Sequence, residues 1–288
     1  MPSTFHRAAT GIEIVVLIFA FMLLGAAADQ YLFSRMAWSR DFDIPLGRIA
    51  TFVAAAAILF GVPALRRRCL ALLSVPMRPG IVPEVAAALS IQAVCGFAIL
   101  GAMALWWWST GGEPALARHM GHAFAAESEW DRSFGLGVLV NTFVAGAILA
   151  PVVEELVFRG FLYPTWERKL GWMKSAFATS VAFAFIHPYV IPQFFSSLVL
   201  VCLYRRTGSI RACIACHAAL NIALWYPLLG QFLVPGPERE TGALRAWAPH
   251  LICLVLAFFA LAIYMWISRD DALAHREPMS HGATPQGS

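Results

Sequence analysis

Apolar residues in this chain are gathered into long blocks that are separated by short polar segments. Most blocks hold about 18 to 25 residues, which is the length that an α-helix needs to cross about 30 Å of hydrocarbon. We expect membrane-spanning helices over approximately these residues: 11–28, 48–65, 82–108, 134–166, 172–187, 190–204, 210–229 and 246–267. The predicted fold class is therefore all-α, a polytopic membrane helix bundle with about eight transmembrane helices.

Two segments depart from this simple pattern. The block at 134–166 is too long for one ordinary crossing unless it is tilted or broken, and Pro151 is the expected position of a break. The segment 109–132 is polar and contains a Gly-Gly pair, so we expect it to form the longest extramembrane loop.

Composition favours the same class of protein. Of the 288 residues, 59% are hydrophobic and 13% are charged, whereas a soluble domain carries about 25% charged residues. These values exclude a disordered chain and a disulfide-stapled miniprotein. The six cysteines lie in or beside apolar blocks, where a thiol acts as a small hydrophobic group. No basic tract is long enough to suggest a nucleic-acid partner.

The placement of basic residues predicts the orientation in the membrane. Eight crossings put both termini on one side, and basic clusters at 66–68, 168–174 and 205–211 fall on that side. Because Lys and Arg concentrate in cytoplasmic segments, we expect both termini to be cytoplasmic.

A few polar residues fall at membrane depth, where ionisable groups are costly and are functional candidates by default. They are Glu13, Glu154, Glu155, Arg159, His187, Gln193, His217 and Asn221. Glu13 and Gln193 stand near the ends of their blocks and are interpreted as boundary residues.

The adjacent glutamates are predicted to have different surroundings. Neighbours on a helix point about 100° apart, so Glu154 and Glu155 cannot share one target, whereas Glu155 and Arg159 are four apart and lie on one face. We expect Glu155 and Arg159 to form an ion pair, which leaves Glu154 without a local partner. A purely structural ion-pair network would explain Glu155 and Arg159 but not Glu154.

Helix lengths predict which groups meet. Glu154 lies 13 residues before Glu167, about 20 Å of helix, and His187 lies 16 residues after Gly171, about 24 Å. If these helices form a hairpin, Glu154 and His187 return to nearly one level. His217 lies 9 residues beyond Gly208, about 14 Å, which places it one or two turns shallower.

These groups suit hydrolysis of an acyl bond by an activated water. A carboxylate that faces a histidine can hold and deprotonate water, and His217 with Asn221, four residues apart on one helix face, can donate to an oxyanion.

Three motifs carry a resemblance to a known family. Residues 154–159 (EELVFR), 183–187 (FAFIH) and 217–221 (HAALN) match the EExxxR, FxxxH and HxxxN motifs in order. The chain thus resembles the CPBP family, the CAAX proteases and bacteriocin-processing (Abi) enzymes, over about residues 135–230. The resemblance implies an intramembrane endopeptidase that hydrolyses a peptide bond of a membrane-anchored protein or peptide.

The resemblance also implies roles for individual residues, in two groups. The catalytic group is Glu154, which activates the water, His187, which assists it, and His217 with Asn221, which stabilise the oxyanion. The supporting group is Glu155, Arg159 and Phe183.

The family has also been described as metalloproteases. Glu154, His187 and His217 would make an acceptable zinc set. No HExxH helix is present, and the Asn paired with the second His gives that His another task, so we favour a metal-free mechanism and no cofactor.

The resemblance divides the chain into three regions. These are residues 1–134, a three-helix membrane region with the polar loop, 135–230, the catalytic core, and 231–288, the last transmembrane helix and a polar tail. The expected partners are the lipid bilayer and the substrate, and the expected location is the bacterial inner membrane. The substrate would be of CAAX type, a bacteriocin-like peptide or a C-terminal sorting segment.

Other interpretations rest on weaker signals. Residues 213–217 spell CxxCH, the pattern of c-type haem attachment, but inside an apolar helix. His119 and His122 give a feeble metal signal in the polar segment. A non-proteolytic immunity, scaffold or transport protein could use the same buried polar residues, although no inverted hydropathy repeat supports transport.

Overall fold

The structure is a computed structural model that describes residues 46–133, 143–187, 189–225 and 243–269. Within these ranges all regular structure is helical and no strand occurs, which confirms the predicted all-α class. The first apolar block and Glu13 lie outside the described residues.

The chain forms helices that we number in order. They are α1 Leu46–Gly61, α2 Pro63–Ser74, α3 Ile81–Ser133, α4 (residues 143–170), α5 Trp172–Phe185, α6 Val190–Thr207, α7 Ile210–Trp225 and α8 Ala248–Ile267. Helix α4 joins four stretches without a gap: a π-helix Phe143–Leu149, an α-helix Ala150–Glu155, a π-helix Leu156–Leu162 and an α-helix Tyr163–Leu170. A short 3₁₀ turn, Leu244–Trp247, leads into α8.

Among the described residues, Ile81–His119 and Leu244–Ile267 are long and apolar enough to cross a membrane. The α1–α2 pair also passes on length and composition but is bent by 97° at the start of α2, where Pro63 begins the second helix. The block that was expected to be one straight crossing is therefore a broken span or a re-entrant segment. The molecule is a helical membrane bundle, and the count of eight crossings stays a prediction.

The expected loop at 109–132 is wrong, because helix α3 continues to Ser133. The helix is interrupted only at Gly111 and Gly112, and Gly112 adopts a left-handed φ of +64°. Pro114 then stands in the first turn after the break, a position that suits its missing N–H. The Gly-Gly pair therefore corresponds to a kink between two helical segments and not to a loop. Across it, the rings of Trp107 and His119 stack with centroids 3.7 Å apart.

Pro151 does not break helix α4. It lies in the first turn of the α-helical stretch Ala150–Glu155, directly after the π-helix Phe143–Leu149. Because proline lacks the N–H and crowds the carbonyl of the preceding turn, a widened turn before it keeps the chain helical.

Helix α6 is the buried centre of the bundle, with nearly every residue from Ser197 to Thr207 buried. Helix α8 lies at its edge and exposes large apolar side chains such as Phe258 and Trp266. Two glycines with positive φ, Gly171 and Gly208, join α4 to α5 and α6 to α7. Left-handed backbone at these positions allows consecutive helices to reverse direction.

A buried arginine connects three helix ends. Arg205 in α6 forms an ion pair with Glu167 and donates to the hydroxyl of Tyr163, both in α4. It also donates to the Ser268 carbonyl, 2.8 Å away, at the end of α8. The same end of the bundle carries an ion pair between Arg206 and Glu84. These contacts connect the ends of α3, α4, α6 and α8, and two of these helices, α4 and α6, carry residues of the site.

Close packing of α3 against α8 depends on Gly101. A Cβ placed there would lie 2.5 Å from the backbone oxygen of His250. We expect Gly101→Ala to push the helices apart and to lower the free energy of unfolding by about 1–3 kcal/mol, the usual cost of overpacking. Thermal unfolding in detergent measures it.

Gly96→Ala is the matched control in the same helix, since a Cβ at Gly96 meets nothing within 4 Å. It should leave the unfolding temperature unchanged or slightly raised. Equal effects of the two substitutions would contradict the close approach of α3 and α8.

Candidate active site

Three helices bring the candidate residues together. Helix α4 carries Glu154, Glu155 and Arg159, and all three are buried. Phe183 lies in the last turn of α5 and His187 just beyond its end, while His217 and Asn221 lie one turn apart in α7. Every residue that the motifs singled out therefore falls on one of these three neighbouring elements.

The predicted pair of Glu155 and Arg159 is confirmed and has a further member. Nη1 of Arg159 donates to Oε1 of Glu155 at 2.9 Å. Nδ1 of His217 lies 2.9 Å from the same oxygen. Glu155 is fully buried, so its charge is balanced by side chains rather than by water. Glu155 thus holds His217 in addition to neutralising Arg159, a contact that the sequence analysis did not anticipate.

Ser197 of α6 completes the surroundings of Arg159 and was missed by sequence reasoning. Nη2 of Arg159 donates to the carbonyl of Ser197 at 3.0 Å and to its hydroxyl at 2.9 Å. A buried guanidinium needs several acceptors, and the planar fork supplies donors on two sides. The only signal in the sequence was a pair of serines, Ser196 and Ser197, in a largely apolar helix, which does not distinguish this role from ordinary packing.

Glu154 occupies the expected position without a close local partner. Its Oε2 lies 3.7 Å from Nε2 of His187 and 3.8 Å from Nε2 of His217. The same oxygen is buried and has no hydrogen-bond partner among the described residues. Both distances exceed a direct hydrogen bond but match a group bridged by one water. The carboxylate and two imidazoles therefore surround a place where a small polar molecule can be held.

Both histidines are oriented by their other ring nitrogen. Nδ1 of His187 lies 2.7 Å from the carbonyl of Phe183, which can only accept, so this nitrogen carries the proton. Nδ1 of His217 faces the acceptor Oε1 of Glu155. The Nε2 atoms of both rings are consequently the ones presented to Glu154.

The depth argument is confirmed for Glu154 and His187, and His217, for which it gave only approximate agreement, approaches Glu154 more closely than expected. The structure places Nε2 of His217 as close to Glu154 as Nε2 of His187. Counting rises along each helix assumes parallel axes and regular α-helix, whereas α4 contains two π-helical stretches.

Phe183 packs against the charged groups. Its ring contacts the ring of His187 at 4.5 Å and that of His217 at 5.9 Å between centroids. The guanidinium of Arg159 lies 4.8 Å from the ring centre, in cation–π geometry. Phe158 packs edge-on from α4. The aromatic ring therefore covers one side of these polar groups and limits the access of bulk water to them.

Asn221 does not reach Glu154 in the manner of His217. Its Nδ2 donates to the carbonyl of Gly146, 2.7 Å away in the first π-helix of α4. An amide carries two hydrogens, so one remains for a second acceptor. In this structure Asn221 therefore connects α7 to the π-helical turn that precedes Glu154.

The cysteines of the CxxCH pattern are fully buried and free. Cys213 points to the Leu200 carbonyl, Cys216 accepts from Gln92, and His217 is engaged by Glu155. Covalent attachment of haem needs accessible thiols, so this packing argues against the haem interpretation. His119 stacks on Trp107 rather than turning towards another metal-binding side chain, while the side chain of His122 lies outside the described residues.

The donor set of a zinc site was also tested. In the part of the chain that the structure describes, no group of three or more His, Cys, Asp or Glu side chains could hold a metal ion. Zinc ligands about 2.1 Å from a tetrahedral ion stand about 3.4 Å apart, which is closer than either Nε2 lies to Oε2 of Glu154. The choice between a metal-dependent and a metal-free mechanism stays a prediction, and the steps proposed below use no metal.

Comparison with known proteins agrees with the motifs. Residues 136–223 match the family model described as type II CAAX prenyl endopeptidase Rce1-like. This match confirms the family resemblance over that segment and supports a peptidase embedded in a membrane. No curated protein and no solved structure matches the chain.

The Glu155–Arg159 pair should dominate the stability of the site. We expect Arg159→Met to lower the free energy of unfolding by about 3–5 kcal/mol, because it leaves a buried carboxylate with one partner fewer. Adding Glu155→Gln in the same chain should recover part of that loss, since the uncompensated charge is then gone. Thermal unfolding of the two single variants and the double variant measures this coupling, and strictly additive losses would contradict it.

Proposed function

We propose, from the match of residues 136–223 to type II CAAX prenyl endopeptidases, that this membrane protein is an intramembrane endopeptidase that uses a glutamate-activated water. One observation carries the proposal. The Nε2 atoms of His187 and His217 converge on Oε2 of Glu154, a buried oxygen with no hydrogen-bond partner among the described residues. Oε2 of Glu155 is likewise buried without a hydrogen-bond partner among these residues. The convergence of two imidazole Nε2 atoms is therefore what distinguishes Glu154 from a member of a structural ion pair.

Water activation follows from the orientation of the two rings. A water between Glu154 and His187 donates one hydrogen to Oε2 of Glu154 and the other to Nε2 of His187, which is the acceptor because Nδ1 donates to Phe183. Glu154 takes the proton as the water oxygen attacks the scissile carbonyl carbon. Exclusion of bulk water by Phe183 strengthens these interactions.

Stabilisation of the oxyanion falls to His217. Its Nδ1 already donates to Glu155, so donation to a developing oxyanion requires a proton on Nε2 as well. Because Glu155 is already paired with Arg159, the charge of that doubly protonated ring is balanced by the carboxylate of Glu154 before the attack and by the oxyanion after it. The remaining amide hydrogen of Asn221 is the second proposed donor. When the tetrahedral intermediate breaks its C–N bond, Glu154 returns its proton to the leaving nitrogen.

The proposed substrate is a protein or peptide anchored in the same membrane. A site within the membrane meets chains that are held in the bilayer. Three kinds of substrate are proposed: a protein with a prenylated CAAX end, a bacteriocin-like peptide, or a protein with a C-terminal sorting segment. We place the protein in a bacterial inner membrane with both termini cytoplasmic, from the distribution of basic residues.

Substitution of Glu154 tests the proposal. Glu154→Gln keeps the size of the side chain but cannot take a proton, so cleavage should fall by about 10²–10⁴-fold. Mass spectrometry of protein termini in membranes of cells that carry the wild type or Glu154→Gln measures it. Termini produced by the wild type should be missing in the variant.

Glu113→Gln is the matched control, because Glu113 is an exposed carboxylate in α3 away from the site. It should leave the set of termini unchanged. Identical termini in the wild type and in Glu154→Gln would contradict the peptidase proposal and favour an immunity or scaffold role.

Removal of metal distinguishes the two mechanisms of the family. With a glutamate-activated water, cleavage of a farnesylated CAAX peptide by the purified protein should persist after exhaustive chelation. Elemental analysis of the same sample should find no stoichiometric zinc. Loss of cleavage on chelation, restored by added zinc, would refute the metal-free step.

A further inference from the structure

A buried glutamine outside the family match lies between two of the helices that hold the site. Gln92 belongs to α3, is 6% exposed, and precedes the matched residues 136–223. Its Oε1 accepts from the hydroxyl of Ser196 in α6 at 2.5 Å. Its Nε2 donates to the thiol sulfur of Cys216 in α7 at 3.2 Å. One amide group therefore joins α6 and α7 from the side of α3.

Both partners of Gln92 are next in sequence to residues that contact the Glu155–Arg159 pair. Ser196 precedes Ser197, whose carbonyl and hydroxyl accept from Arg159. Cys216 precedes His217, whose Nδ1 meets Glu155. Because neighbours on a helix point about 100° apart, Gln92 holds the same turns of α6 and α7 on a second face.

Two points of attachment at one level fix the rotation of a helix about its axis. A side-chain atom lies about 5–6 Å from the axis, so a rotation of 10° moves it by about 1 Å. The distance between Nε2 of His217 and Oε2 of Glu154 is 3.8 Å. A displacement of about 1 Å would therefore decide whether Nε2 of His217 still reaches an oxyanion that forms beside Glu154.

We infer that Gln92 is a positioning residue for the proposed reaction, which sets the rotation of α7, and thereby the place of His217, through its bonds to Ser196 and Cys216. This inference rests on the proposed function for its effect on catalysis. The geometric part, that His217 depends on Gln92, is independent of any activity.

The test compares variants of nearly equal shape. Gln92→Met keeps an unbranched side chain but loses the amide. Gln92→Glu, with its buried carboxyl protonated, can again accept from Ser196 and donate to Cys216. Ser196→Ala removes only the hydrogen bond between Ser196 and Gln92. It replaces Gln92→Met as the test variant if Gln92→Met does not fold. Ser90→Ala is the control in the same helix, since Ser90 is exposed and its hydroxyl donates only to Ala86 of α3.

The first measurement is the ¹⁵N NMR spectrum of protein labelled in its histidines. The ring signals of His217 are identified by their loss in His217→Gln. We expect them to shift in Gln92→Met, to return towards the wild-type position in Gln92→Glu and to stay unchanged in Ser90→Ala. Unchanged His217 signals in Gln92→Met and Ser196→Ala would overturn the inference, whatever the activity.

The second measurement is cleavage of a farnesylated CAAX peptide. Gln92→Met should lower kcat by about 10- to 100-fold with KM within about twofold, because Gln92 is buried between helices and would act only through His217. Wild-type kcat in Gln92→Met, in a preparation where Glu154→Gln is inactive, would overturn the inference and leave the proposed function standing. If the wild type does not cleave the probe, the proposed use of this substrate fails, and the His217 signals alone decide the role of Gln92.

Discussion

A carboxylate that is shut away from water must balance its charge with neighbouring side chains, and Glu155 does so with two. Arg159 and His217 both approach its Oε1 at 2.9 Å. Arg159 extends the connection to Ser197 of α6, so that one buried group links α4, α6 and α7. Because each member would be costly to leave alone in a low-dielectric interior, the relative placement of these three helices is strongly constrained. The position of the His217 imidazole beside Glu154 follows from that placement.

The widened turns of α4 show how irregular backbone is accommodated in such an environment. Each π-helix contains a glycine whose carbonyl accepts a side-chain donor from another helix, Asn221 at Gly146 and Arg68 at Gly160. Unsatisfied carbonyls are costly in an apolar interior, and these contacts remove that cost. The stretch Ala150–Glu155 lies between the two π-helices, so the helices that contribute these donors also hold the segment bearing the two glutamates.

Local geometry made part of this site predictable. A spacing of four predicted the Glu155–Arg159 pair, and equal helix lengths predicted that Glu154 and His187 would meet. The bond between His217 and Glu155 could not be derived in this way, because it depends on how α7 rotates against α4. Ser197 and Gln92 were missed since a few uncharged polar residues in a largely apolar helix carry no periodic signal. The loop expected at 109–132 failed for a related reason, because polarity describes the surroundings of a segment rather than its backbone.

The adjacent glutamates of α4 have the same side chain but different hydrogen-bonding surroundings. Glu155 has one oxygen saturated by two donors, so it is suited to hold charges in place. Glu154 points about 100° away, where the nearest groups are Nε2 atoms that stand too far for a direct bond. A carboxylate can exchange protons with a reacting water only where one of its oxygens faces other groups that can hold that water, as Oε2 of Glu154 faces the two imidazoles. Because neighbouring residues point about 100° apart on a helix, Glu155 can support the site structurally while Glu154 acts as the proposed base.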